Sequence, residues 1–79
     1  MSAPMIDLDS KRILNKSIMT SDGVMRGEIV GQTDKELIVM EGVFRIRKYM
    51  IPKSLVANYD GSIIHLSIPD KDIEKYRSK

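Results

Sequence analysis

The chain's reactive side chains are few. There is one histidine, His65, and no cysteine in 79 residues. Thiolate nucleophiles, paired-cysteine redox sites and cysteine zinc sites are therefore excluded. One histidine cannot build a histidine-rich metal cluster. His65 lies in an alternating stretch, on the face opposite Ile64 and Leu66, with no carboxylate at ligand spacing. It reads as a surface or interface histidine. Two Asp-x-Asp pairs, Asp7/Asp9 and Asp70/Asp72, have the hard oxygens a divalent cation prefers. Neither has the ligand run and closing glutamate of a calcium loop, and the second fits helix capping better. Ser54 and Ser62 fall in turns without a Gly-x-Ser-x-Gly context. No glycine-rich phosphate cradle occurs. The expectation is a non-enzyme with no metal and no cofactor.

Two other groups could make contacts. From Gly42 to Tyr59 the chain carries Arg45, Arg47, Lys48 and Lys53 and no acid. With Phe44 and Tyr49 nearby, this basic edge could take a nucleic-acid backbone. Against that, Phe44 and Tyr49 read as core, and net charge is only +2. Lysine and arginine on a sheet edge also protect against aggregation. The second group is methionine, six in all, with Met19, Met25, Met40 and Met50 in strand-like runs. They either fill gaps in an aromatic-poor core or form an adaptable contact surface. Ile38, Met40, Met50 and Ile63 are the expected outward apolar positions.

The elements that must hold these residues are short. A chain of this length makes one domain. Residues 1–10 read as an arm and 11–79 as the domain. With 5% aromatic residues, the core must be Ile, Leu, Val and Met. Strand-like runs cover Ile13 to Thr20, Val24 to Gly31, Glu36 to Glu41, Phe44 to Ile51, Val56 to Tyr59 and Ser62 to Ile68. Gly23, Gly42, Pro52 and Asp60-Gly61 separate them. Pro52 to Leu55 suggests one helical turn. Apolar phase changes between Ile46 and Tyr49, which implies a β-bulge near Arg47-Lys48. After Pro69, Asp70 reads as an N-cap and the helix should run from about Lys71 to Arg77. The pattern is all-β: a small, mainly antiparallel barrel of about six strands with a short C-terminal helix. Leu37 to Met40 is apolar on both faces, so its outer side needs a partner. That run is also the longest apolar one, too short to span a membrane. Met1 to Asp9 lacks a basic start and an apolar stretch, so the expected location is cytoplasmic.

The run Tyr49-Met50-Ile51-Pro52-Lys53-Ser54-Leu55-Val56, followed by Tyr59-Asp60-Gly61-Ser62-Ile63-Ile64-His65-Leu66, resembles the second half of the PRC-barrel family. Gly23-Val24 and Gly27-Glu28-Ile29-Val30 resemble its opening hairpin more weakly. The resemblance spans about Lys16 to Tyr76. It implies a compact barrel that docks to other macromolecules without catalysis. Family members include the cytoplasmic domain of the photosynthetic reaction-centre H subunit, a domain of a ribosome maturation factor, and stand-alone archaeal adaptors. Lacking a membrane helix and a preceding domain, the chain is expected to be of the stand-alone kind. The expected function is a protein-interaction module, homodimeric, with an unnamed protein partner. The alternative is an RNA-binding or ribosome-associated barrel using Arg45, Arg47, Lys48 and Lys53.

Overall fold

A computed structural model describes residues 13–78. The expected arm at residues 1–10 lies outside them. Seven strands form one sheet: β1 (Ser17–Met19), β2 (Met25–Gln32), β3 (Glu36–Glu41), β4 (Arg47–Pro52), β5 (Val56–Tyr59), β6 (Ile63–Leu66) and β7 (Arg77–Ser78). Their spatial order is β5-β6-β1-β2-β3-β4-β7. The fold is mainly β with one short helix, as expected. Two features differ from the expectation. The sheet runs from β5 to β7 without closing, and β1 pairs with β6 in parallel. The other pairings are antiparallel.

Irregularities fall where β2 and β5 must bend. Gly27 is the unmatched residue between Ser17↔Glu28 and Ile18↔Arg26. Val30 is unmatched between Ile29↔Val39 and Gly31↔Ile38, and Ala57 between Val56↔Leu66 and Asn58↔His65. Each extra residue bends its strand and increases local twist, which curls the sheet around its inner face. The bulge expected at Arg47-Lys48 is absent: β3 and β4 pair without a break from Glu41↔Arg47 to Glu36↔Pro52. The change of apolar phase there has another cause. Phe44 and Ile46 are in the connecting loop, not in β4.

The inner face is continuous. Ile18, Ile29, Leu37, Val39, Tyr49, Ile51 and Ile64 are fully buried, with Leu66 and Val56 beside them. Ile13 precedes the sheet and Ile73 comes from the helix; both are fully buried. Leu55, Tyr59, Ile68 and Tyr76 pack around this core. Burying one such side chain contributes about 1.5–3 kcal/mol. Among the described residues no methionine is part of the buried core, so the gap-filling reading does not hold for the strand methionines. Isoleucines and valines, with Leu37, Leu66 and Tyr49, fill the interior.

The C-terminal segment begins with α1 (Asp70–Ile73), passes through a 3₁₀ turn (Glu74–Tyr76), and ends as β7 against β4. The helix is shorter than expected because the chain re-enters the sheet. Asp70 is not the cap: Pro69 holds that place with an extended backbone. The Asp70 N–H instead donates to Asp22 Oδ1 at 3.0 Å, from the turn after β1. The Thr20 hydroxyl also donates to Asp22, and these bonds hold the Asp22 carboxyl below the usual carboxylate range. A second 3₁₀ turn, Lys53–Leu55, joins β4 to β5 where one helical turn was expected.

Candidate functional site

Strand pairing fixes the outer face. Residues directly opposite across antiparallel strands share a face. One row runs Ile63, Ser17, Glu28, Met40, Lys48 from β6 to β4. The next row is Gly31, Ile38, Met50. Ile38, Met40 and Met50 are therefore neighbours on β3 and β4, all half-buried. Val30, in its bulge beside them, is 45% exposed. Ile63 shares the face but is three strands from Met40, about 14 Å at ordinary strand spacing. Ser17 and Glu28 stand between. Of the four expected interface residues, three form one patch and Ile63 is separate. Met19 and Met25 pair at the far side of Glu28, also outside the core. All four strand methionines thus lie away from the interior.

The four expected basic residues do not share a surface. Arg45 is in the β3–β4 loop and exposed. Lys48 points outward beside Met40. Arg47, on the opposite side of the strand, reaches Glu41 Oε1 at 3.8 Å. Lys53 lies past the far end of β4, a strand of six residues or about 20 Å.

Phe44 departs most from expectation. It was read as core, yet it is 99% exposed. Val43 is 84% and Ile46 58% exposed beside it. Gly42 explains why. Its φ is +109°, and an added Cβ would run into the Arg45 carbonyl. The loop closes over Gly42 and turns the next residues outward. Gly42 was recognised as a strand breaker; the five residues from Gly42 to Ile46 needed to be given to the loop.

Below that loop lies a cluster that spacing did not reveal. Arg26 of β2 is the hub. Its Nε is 3.2 Å from Asp70 Oδ1, and its Nη groups are 3.4 Å from Glu74 Oε1 and 3.6 Å from Glu41 Oε1. Arg26 Nη2 donates to the Tyr49 hydroxyl at 3.2 Å, and that hydroxyl donates to Glu74 Oε1 at 3.3 Å. The guanidinium carbon sits 5.8 Å from the Tyr49 ring centre, within cation–π range. Arg26 Nε, Glu41 Oε1 and Asp70 Oδ1 are buried but lack hydrogen-bond geometry, so the Arg26 pairs with Asp70 and Glu41 act mainly through charge, whereas Arg26 Nη2 also donates to Glu74 Oε1. Burial pushes the Tyr49 phenol up, with the Arg26 charge opposing it. The cluster ties α1 and the 3₁₀ turn to the sheet. An open groove of about 510 Å³ adjoins it, lined by Ile46, Arg47, Glu74, Arg77 and Ser78.

His65 does have a carboxylate partner, contrary to the sequence reading. Asp60, at the β5–β6 turn, brings Oδ2 to 2.9 Å from His65 Nε2. Asp60 Oδ1 accepts from the Ser62 and Ile63 N–H groups at 2.9 and 2.8 Å. The His65 bond first, then the two backbone donors, lower the Asp60 carboxyl to about 2. An aspartate that folds back on its own turn five residues before a strand histidine was the available signal. Of the two Asp-x-Asp pairs, Asp7/Asp9 lies outside the described residues. Asp70 turns to Arg26 and Asp72 to Lys75, at 3.3 Å. Among the described residues no group of three or more His, Cys, Asp or Glu side chains is placed to hold a metal ion.

No helix among the described residues is long and apolar enough to cross a membrane. No family model, curated protein or solved structure matches the chain.

Proposed function

We propose that the protein is a non-catalytic protein-interaction module of PRC-barrel type that self-associates through the outer face of β3 and β4. One observation carries this reading: among the described residues no methionine lies in the core, while Met40 and Met50 join Ile38 on an outward apolar patch. Methionine repacks readily around a partner. The row Glu28, Met40, Lys48 adds self-complementarity. A two-fold axis along β3 would set Met40 on its own copy and Glu28 opposite Lys48 of the partner subunit. Isologous interfaces need such a pattern. The PRC-barrel part rests on element order: β4 ending in Ile51-Pro52, a 3₁₀ turn, β5, the Asp60-Gly61 turn and β6 follow in the sequence the resemblance implies. A cytoplasmic location goes with the adaptor reading.

Sedimentation equilibrium on the full chain tests it. The wild type is expected to dimerise, and Ile38→Lys or Met40→Lys to raise the dissociation constant at least a hundred-fold. A wild type that stays monomeric, or a dimer indifferent to both changes, refutes the reading. The second proposal, RNA or ribosome binding on the basic edge, draws on the exposure of Phe44 beside Arg45. The division of the four cations between faces weighs against it. Two phosphate contacts would give a log–log salt slope of only about −1.4 on single strands. Arg45→Glu should abolish such binding and leave dimerisation intact.

A further inference from the structure

The β3–β4 tip is the most exposed apolar feature of the described residues. Val43, Phe44 and Ile46 are 84%, 99% and 58% exposed. They are held out by a constrained loop, because Gly42 can adopt its positive φ where a side chain would meet the Arg45 carbonyl. Such a tip does not lose much entropy when it docks. The unpaired charge at the tip is basic. Arg45 is at the tip and Lys48 just beneath, neither with an ion-pair partner among the described residues, and no acid occurs from Gly42 to Tyr59. The nearest carboxylate, Glu41, is already engaged by Arg26 and Arg47.

We propose that this tip inserts into the headgroup region of an anionic lipid bilayer, Val43, Phe44 and Ile46 entering the acyl boundary and Arg45 and Lys48 staying with the lipid phosphates. Apolar side chains above a basic collar are the arrangement that interfacial lipid binding uses. A nucleic acid fits less well. Strand binding relies on several stacked aromatics, whereas Phe44 is flanked by two aliphatic residues that present no ring to a base. The groove beneath the tip does not serve as an anion pocket, since Glu74 stands in it with Arg47 and Arg77. The proposal holds for a single chain. In the dimer proposed above, an axis along β3 leaves both tips at the same end; Lys48 there faces Glu28 of the partner subunit, so Arg45 is the collar, and two tips on one surface bind with avidity.

The chain has no tryptophan, so F44W places a single indole at the tip. Its emission should shift to the blue with vesicles containing phosphatidylserine, and not with pure phosphatidylcholine. In co-sedimentation, Phe44→Ala should weaken wild-type partitioning about ten-fold, and neutralising Arg45 or Lys48 about five-fold each. Because Phe44 touches solvent alone, circular dichroism should report an unchanged fold. Ile38→Lys separates the two proposals: a monomer should bind vesicles more weakly and still show the blue shift. No blue shift, or sedimentation insensitive to Phe44→Ala, overturns the proposal. So does single-stranded RNA binding that depends on Arg45 in a chain that ignores vesicles.

Discussion

Two of the molecule's hairpin turns, β3–β4 and β5–β6, have opposite character. At the β5–β6 turn, Asp60 takes both backbone N–H groups of the turn and the His65 ring, leaving the tip polar and internally satisfied. At the β3–β4 turn, no side chain returns to the loop in this way, and Val43, Phe44 and Ile46 face solvent. A turn that pairs its own groups is complete within the fold. A turn that uses a constrained glycine to hold apolar side chains in water leaves those side chains uncovered by the described residues. That exposure is what the proposed bilayer contact accounts for.

The comparison is tested most severely at the two glycines. Gly42 and Gly61 both have positive φ, at +109° and +94°. An added Cβ at Gly61 meets nothing within 4 Å, whereas at Gly42 it would collide with the Arg45 carbonyl. Gly61→Ala should therefore cost about 1–2 kcal/mol for backbone strain alone. Gly42→Ala should cost more, about 2–4 kcal/mol, or force the tip into another shape. Urea denaturation of both variants measures the difference. Equal costs would mean that the apolar tip is not a constrained structure.

The root of the apolar hairpin supplies the next test. Arg26 binds Glu41 at the end of β3, together with Asp70 and Glu74 from the C-terminal segment. Arg26→Ala leaves three carboxylates facing one another around Tyr49. The loss should be about 1–3 kcal/mol, below that of a fully buried pair because Asp70 and Glu74 are partly solvated. Amide exchange should then rise in α1 and β7 while the β5–β6 turn keeps its protection. Uniform loosening of both hairpins would show that the cluster does not anchor this end specifically.

Strand positions were largely legible because alternation and turn residues act locally. Glu36–Glu41 and Val56–Tyr59 match their expected spans, and the 3₁₀ turn follows Pro52 as its fixed φ suggests. The failures needed information from elsewhere in the chain. Phe44 reads as core by residue type, but the loop built on Gly42 turns it outward. Arg26 carries no local sign that Asp70 and Glu74 will arrive beside it, since parallel pairing of β1 with β6 and return of the chain to β4 create that contact. The outward apolar positions were half legible: alternation put Ile63 on the outer face, but only sheet order shows it to be remote from Met40.

The smallest effect belongs to the polar turn. Asp60 has an ordinary value near 3.8 and is lowered to about 2 in the fold. Its charged form is therefore the one the turn stabilises. That contribution is fully present above the ordinary value and is lost as pH falls from about 4 towards 2. The group is solvated and salt screens it, so the change in stability should be modest. His65→Ala removes the largest cause of the shift, and the Asp60 midpoint should move upward. It should stop short of the ordinary value, because the Ser62 and Ile63 N–H groups still donate to the carboxylate. Titrating those two amide resonances follows the midpoint directly. An unchanged midpoint in His65→Ala would assign the shift to the backbone donors alone and leave the turn complete without its histidine. In either outcome the β3–β4 tip, whose apolar residues do not titrate, should be unaffected over the same pH range.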